Sequence, residues 1–255
     1  MNLPSKPVMS TMLKVRDLKK SYGAIQAVGG VSFEVMEGEI FGVIGPNGSG
    51  KTTLFNSMLG QITPDSGQIE LKGQDVTKLG PLELNHLGVG RTFQTLQVFG
   101  KMSVRDNLIV AAQEHQGSMI SRIFAPSDSG LGPKADELID LFNMRHVADK
   151  KAGELSYGQQ KLVDIAMAFM SKPDLVLLDE PCAGVNPSLV GGISRLLKEL
   201  NRKNGGSFVV IEHNMDFVMD LCHRVMVMVE GKVLAIGTPE DIRSNRQVLD
   251  AYLGN

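Results

Sequence analysis

The chain has 255 residues, enough for one or two domains and a sizeable core. Its 26 basic residues nearly balance 28 acidic ones, so there is no electrostatic footprint for nucleic acid. Two cysteines, Cys182 and Cys222, lie in unlike contexts without metal spacing, and no apolar run approaches the ~20 residues of a spanning helix. This excludes a disulfide scaffold and an integral membrane protein. The cysteines read as buried thiols of a reducing compartment, and any membrane role must come through a partner. Residues 1–10 hold two prolines and no apolar core, so they read as a flexible tail, neither signal peptide nor anchor.

Taken in order, Leu13 to Leu18 and Val31 to Val35 alternate at period two and predict antiparallel strands with one wet face, with Lys20-Ser21-Tyr22-Gly23 between them. Ile40 to Ile44 is apolar throughout, as expected of a strand covered on both faces. It runs into Gly45-Pro46-Asn47-Gly48-Ser49-Gly50-Lys51-Thr52-Thr53, which fits G-x-x-x-x-G-K-[ST]. The glycines let successive N–H groups curl around one anion, and the following helix aims its N-terminus at the same place. Gly45, Asn47, Gly48, Ser49, Gly50, Lys51, Thr52 and Thr53 are therefore the candidate phosphate site. Lys51 would reach the β- and γ-phosphates and Thr52 a Mg²⁺ ion. Leu54, Phe55, Met58 and Leu59 form that helix's packing side. After a turn at Thr63 to Gly67, Gln68 to Leu71 alternates as a further strand.

From Gly100 the pattern turns helical. Ser103 is placed to cap a helix over Val104 to His115, and Pro133 to Phe142 carries Leu138, Leu141 and Phe142 on one side. Gln116 to Gly132, rich in Gly, Ser, Pro and Asp, reads as a loop. Ser156 opens a helix with Leu162, Ile165, Ala166 and Phe169 at i, i+3, i+4 and i+7, stopped by Pro173. Leu175 to Leu178 is a second buried strand. Asn186 caps a helix with Pro187 at its first position, which ends at Gly205-Gly206. Phe208 to Ile211 is a third buried strand. A hairpin over Val225 to Ile236 and a short helix after Thr238-Pro239 follow. The expected architecture is an α/β nucleotide-binding lobe interrupted by a helical insertion.

Asp179 and Glu180 close the second buried strand, at the carboxyl end where ligands of α/β sheets bind. A triphosphate–Mg²⁺ site needs an acidic partner on a neighbouring strand; Asp179 suits the metal, and Glu180 could orient and deprotonate an attacking water. Ser156 with Gln159 makes an S-x-x-Q capping box. The same segment, with Gly158, is also a possible second anion site at a helix N-terminus. The residues alone allow both.

Gly45 to Thr52, Leu155 to Gln159, Leu175 to Pro181 and His213, in this order, resemble the ATP-binding cassette (ABC) ATPases over nearly the whole chain. The resemblance implies a P-loop (RecA-like) core over residues 11–95 and 172–255, an antiparallel β subdomain and an inserted α-helical subdomain over about 96–171. It implies two copies packed head to tail, with Ser156, Gly158 and Gln159 of one completing the ATP site of the other. By the same resemblance Tyr22 stacks on adenine, Gln94 touches Mg²⁺ and the water, and His213 is the switch on the γ-phosphate. Tyr157 stands where most members have glycine, and Asn186 where the usual pattern has aspartate. These variants, with Arg91-Thr92-Phe93-Gln94 and the ending Ala251-Tyr252-Leu253-Gly254, are similar to the subgroup serving branched-chain amino-acid uptake. Lipopolysaccharide-export ATPases share similar motifs. The implied partners are a second ATPase subunit, transmembrane permease subunits and a periplasmic or extracellular substrate-binding protein. The implied location is the cytoplasmic face of the membrane. Leu96, Val98 and Phe99 either line the groove for a permease helix or form a local core cluster. A soluble ABC ATPase of nucleic-acid metabolism would carry long coiled coils or a second cassette, and the chain has neither.

Overall fold

The computed structural model describes residues 10–92, 96–112 and 130–253. Gln94, residues 1–9, most of the 116–132 segment and Gly254 lie outside the described residues. β1 (Thr11–Tyr22) and β2 (Ile25–Met36) pair antiparallel, and β4 (Ser66–Leu71) and β5 (Gln74–Asp75) complete a four-stranded sheet in the order β2-β1-β4-β5. The strict alternation expected for β1 breaks at a bulge, where Asp17 takes φ 43° and both Arg16 and Asp17 face water.

The second sheet contains β3 (Ile40–Ile44), β6 (Val89–Arg91), β7 (Leu175–Asp179), β8 (Ser207–Ile211), β9 (Arg224–Val229) and β10 (Lys232–Gly237), in the order β10-β9-β3-β8-β7-β6. Its strands are parallel except β10, which returns antiparallel through the two-residue turn Glu230-Gly231. Both turn residues have positive φ, 48° and 74°, the geometry that matches strand twist.

The unbroken apolar runs follow from coverage on both faces. Ile40, Ile44, Val176, Leu178, Phe208 and Val210 point into one cluster, and Phe41, Val43, Leu175, Leu177, Val209 and Ile211 into the other. The second cluster lies between this sheet and the small sheet, where Phe33 stacks on Phe41 at 5.3 Å; it also buries Leu54, Phe55, Met58 and Leu59 of α1 (Lys51–Met58) and the following turn. A short α2 (Pro81–His86), not anticipated from the sequence, packs Leu84 beside them.

The first cluster takes in α3 (Val104–Ala112), α4 (Leu131–Leu141), α5 (Tyr157–Ala168), α6 (Pro187–Asn204) and α7 (Met215–Leu221). Phe169 meets Phe208 edge-on at 5.5 Å and ties the inserted helices to the sheet. Each such ring or aliphatic side chain, fully buried, contributes about 1.5–3 kcal/mol. Helix α5 ends at Ala168, well before Pro173, because its last carbonyls are already taken up by the Phe169 and Met170 amides. The chain finishes with α8 (Pro239–Ser244), capped by Thr238, and α9 (Arg246–Leu253), a further helix the sequence pattern had not revealed. Among the described residues no helix is long and apolar enough to cross a membrane.

Candidate functional site

The carboxyl ends of three parallel strands converge. β3 runs into Gly45, β8 into Glu212-His213, and β7 ends on Asp179 with Glu180 next. The acidic pair was expected on a strand neighbouring β3. Strand β8 in fact lies between β3 and β7, which seats His213 between the glycine loop and the acids.

Residues 45–50 turn from β3 into α1 through positive φ at Gly45, Gly48 and Gly50. Two of these glycines are also required by close approach. A Cβ on Gly45 would lie 2.2 Å from the Met228 carbonyl oxygen, and one on Gly50 would lie 2.1 Å from that of Ala27. Lys51 is buried, and its ammonium donates to the Gly45 and Pro46 carbonyls at 2.7 and 2.9 Å. Burial lowers its pKa, while the Glu180 carboxylate opposes that shift. The charges of Lys51 and Glu180 therefore interact within the site. The Thr52 side, in the first turn of α1, is open to solvent, as are Asn47 and Gly48, whereas Ser49 is buried.

Glu180 adopts φ 46°, a conformation that costs a non-glycine residue of order 1 kcal/mol and persists where the surroundings fix it. Its amide donates to the Ile211 carbonyl, and its carboxylate lies 2.8 Å from the His213 Nε2. A carboxylate beside an imidazole, next to an anion-cradling loop and a buried lysine, can hold and activate a water. Asp179 donates its amide to the Thr92 hydroxyl, which pins β7 to the strand edge that leads toward Gln94. Burial first, then the charges of Glu180 and Glu212, push the Asp179 carboxyl above its ordinary range. Among the described residues no three His, Cys, Asp or Glu side chains form a metal cage. An acid destabilised by its neighbours, with Thr52 open to solvent at the start of α1, fits Mg²⁺, which is held by one or two carboxylates plus phosphate oxygens.

Sequence reasoning missed Glu212, Thr92 and Lys161. Glu212 is buried, and its two oxygens accept the amides of Cys182 at 2.7 Å, His213 at 2.9 Å and Asn214 at 3.2 Å. It brackets the loop after Glu180 to the loop carrying His213. The signal was available: like Asp179, Glu212 follows a run of buried apolar residues at a strand's carboxyl end. Lys161 is wholly buried on α5, and its charge acts on Asp164 and Asp179.

Ser156, Gly158 and Gln159 lie at the start of α5. Ser156 and Gln159 form the expected capping box there. Gly158 abuts Leu189, and the Tyr157 ring packs so close to Gly184 that a Cβ there would be 2.8 Å from its Cε1. Asn186 caps α6 by accepting the Ser188 amide at 3.0 Å. Tyr22 is half exposed at the tip of the β1–β2 hairpin, opposite Ile25, with the Lys20 ammonium 5.8 Å from its ring centre. The hairpin runs past the loop, since Ala27 is the residue that crowds Gly50. Val98 packs on the core, whereas Phe99 keeps half its surface exposed.

Residues 28–183 match the family described as ABC transporter. The chain belongs to the ABC transporter family. Residues 232–255 match the branched-chain amino acid ATP-binding cassette transporter family. The chain is 36% identical over 251 residues to the probable branched-chain amino acid transport ATP-binding protein LivG of Methanocaldococcus jannaschii, covering 95% of this chain and 97% of that one. It superposes with a TM-score of 0.86 and 36% identity on the ADP conformation of an ATP-binding cassette of an ABC transporter, covering 96% of this chain and 99% of that one. A dimeric post-hydrolysis cassette bound to ADP and Pi aligns with a TM-score of 0.74 at 25% identity, covering 89% of this chain and 99% of that one. The chain is thus an ATP-binding, ATP-hydrolysing ABC cassette of a transporter, and the expected P-loop α/β fold stands.

Proposed function

We propose that this cassette powers uptake of branched-chain or related amino acids, with ATP bound at residues 45–53 and hydrolysed through Glu180. The substrate class rests on the relative from M. jannaschii and on the match of residues 232–255. Its location is cytoplasmic, held at the membrane by permease subunits and served from outside by a substrate-binding protein. The exposed Phe99, with Leu96, faces the permease. The balanced charge of the chain speaks against a nucleic-acid substrate. The core comprises residues 11–95 and 172–255, with the helical subdomain over about 96–171.

The observation that carries the chemistry is the Glu180 carboxylate, 2.8 Å from His213 and with a charge that acts on Lys51. Gly45, Asn47, Gly48, Ser49, Gly50 and Thr53 supply the cradle, Lys51 leaves its carbonyl partners for the β- and γ-phosphates, and Tyr22 stacks on the base. Thr52, Asp179 and Gln94 would hold Mg²⁺, which neutralises phosphate charge. Glu180 takes a proton from the attacking water, and His213 and Gln94 orient it at the γ-phosphate. Ser156, Gly158 and Gln159 would be brought to the ATP by a second copy, a reading supported by the dimeric relative. Loss of the γ-phosphate removes that cross-contact and reopens the pair.

A positioned general base is worth ~10²–10⁴-fold in rate. Glu180→Gln should therefore nearly abolish phosphate release while ATP binding persists, and should trap an ATP-dependent dimer visible by light scattering. Turnover near wild type would remove Glu180 from the role, and a monomer with ATP saturating would remove the head-to-tail site.

A further inference from the structure

The β9–β10 turn has no part in the chemistry above, yet it closes on the phosphate loop. The Gly231 amide donates to the Ser49 carbonyl at 3.1 Å, and the Gly231 carbonyl accepts the Gly29 amide of β2 at 2.8 Å. Turn, strand and loop meet backbone to backbone. The Ala27 carbonyl oxygen would lie 2.8 Å from a Cβ on Gly231 and 2.1 Å from one on Gly50, and the Gly231 Cα would lie 3.4 Å from the latter. A second two-residue turn offers a comparison within the same chain. Lys72-Gly73, between β4 and β5, has φ of 49° and 79° against 48° and 74° for Glu230-Gly231, but a Cβ on Gly73 would meet nothing within 4 Å. Closing a hairpin of this geometry therefore does not require the contacts that Gly231 makes with the loop.

We propose that Gly231 is a positioning residue for nucleotide binding: through the Ser49 carbonyl it sets the direction of the Gly50 amide, and with it the affinity of the cassette for ATP. This rests on the reading of residues 45–53 as the nucleotide cradle. The Ser49 carbonyl and the Gly50 N–H belong to one planar trans peptide and point in opposite directions. With the carbonyl tied to the hairpin, the N–H points away from it. This peptide needs such a restraint. Position 50 has to be glycine, since no Cβ fits beside Ala27, and glycine takes either sign of φ with little preference, here 96°. The Ser49-Gly50 unit by itself is therefore free to turn over and present a carbonyl where an anion needs a donor. A cradle aligned beforehand binds more tightly, because ordering achieved on binding is subtracted from affinity.

Gly231→Ala in the full-length chain puts a Cβ 2.8 Å from the Ala27 carbonyl at a φ of 74°, so the turn must lift from the loop. A turn lengthened by one glycine after Glu230 displaces the amide without adding a Cβ, and three-residue hairpin loops are common; it carries the test if the alanine variant does not fold. One hydrogen bond corresponds to about a three- to tenfold change in an equilibrium constant. Both variants should raise the ATP dissociation constant and KM about three- to tenfold, leave kcat nearly unchanged and speed hydrogen exchange of the 48–51 amides. Gly73→Ala introduces the same backbone strain in open space, so it should lower the melting temperature but keep wild-type ATP affinity and loop exchange. Wild-type affinity and loop exchange in the lengthened turn would overturn the proposal, while ATP binding by the loop would still stand. An equal loss of affinity in Gly73→Ala would also overturn it, by making the effect one of general stability. If the wild-type chain itself binds no ATP, it is the cradle reading that fails.

Discussion

Glu212→Gln tests how far the site depends on a residue that need not touch substrate. The buried Glu212 carboxylate accepts three amides, with Oε1 taking Cys182 and Oε2 taking His213 and Asn214. A glutamine fills the same space but has one acceptor oxygen. If that oxygen keeps the His213 and Asn214 amides, its NH₂ group confronts the Cys182 amide, leaving a donor facing a donor in a closed site. Hydrogen bonds to a charged group contribute ~1.5–3 kcal/mol, and an unsatisfied buried donor costs ~1–3 kcal/mol. The same substitution relieves Asp179, whose carboxyl is pushed up in part by Glu212, but that charge ranks behind burial and Glu180 among the causes. The net loss should be about 3 kcal/mol, or about 6–12 °C in Tm for a chain of this size. Because Glu180 and His213 are each adjacent to the bracketed loops, their 2.8 Å contact should loosen and kcat should fall at least about tenfold. Thermal unfolding followed by circular dichroism, with phosphate release at saturating ATP, reads both. A variant melting within about 2 °C of wild type, with normal kcat, would refute the bracket.

The two loop glycines that differ in surroundings should differ in tolerance. Gly50→Ala would place a Cβ 2.1 Å from the Ala27 carbonyl, so it should cost more than about 3 kcal/mol and abolish ATP binding; Gly48→Ala, with nothing within 4 Å, should cost only the ~1 kcal/mol of its positive φ, and equal melting temperatures would contradict this. Asp164 is buried, and burial outweighs Lys161 in raising its carboxyl pKa, while its Oδ2 has no hydrogen-bond partner among the described residues. A carboxyl raised in the folded state favours folding below its unfolded pKa and loses that contribution as pH rises through its folded pKa. Asp164→Asn should therefore gain stability relative to wild type between about pH 4 and pH 7, measured by urea unfolding at both. A relative loss over that interval would show that the pairing with Lys161 dominates.

What the sequence made legible was local. The three apolar runs at Ile40, Leu175 and Phe208 are buried strands because helices and a second sheet cover both their faces, and that requirement leaves an unbroken apolar pattern. The caps at Ser156, Asn186 and Thr238 were readable for the same reason, since each satisfies amides within three residues of itself. Strand order was not readable. Nothing in either apolar run says that β8 should slide between β3 and β7, because both neighbours offer it the same fully buried parallel edge. Helix α9 was missed because its amphipathic face is short, and its anchoring contacts reach back to β10 and α8.

The candidate site divides along the same line. Residues that meet a ligand through a motif announce themselves, because glycine curvature, a lysine and a strand-end acid must occur at fixed spacing. Residues that hold those groups in place have no spacing to obey. Glu212 acts on Cys182, thirty residues earlier in the chain, and Gly231 on Ser49, across most of the chain. Their contacts exist only once β8 and β9 have been laid beside β3, so the sheet order that the sequence hid is also what hid them. The departures from the family pattern fit this view. Tyr157 covers Gly184, whose φ of 70° and crowding leave no room for a side chain, and Asn186 caps the adjoining helix two residues later. An aromatic ring at 157 and a small residue at 184 are thus one packing solution. Replacing Tyr157 with glycine would expose that loop, whereas an aspartate at 186 would keep the cap and add only charge.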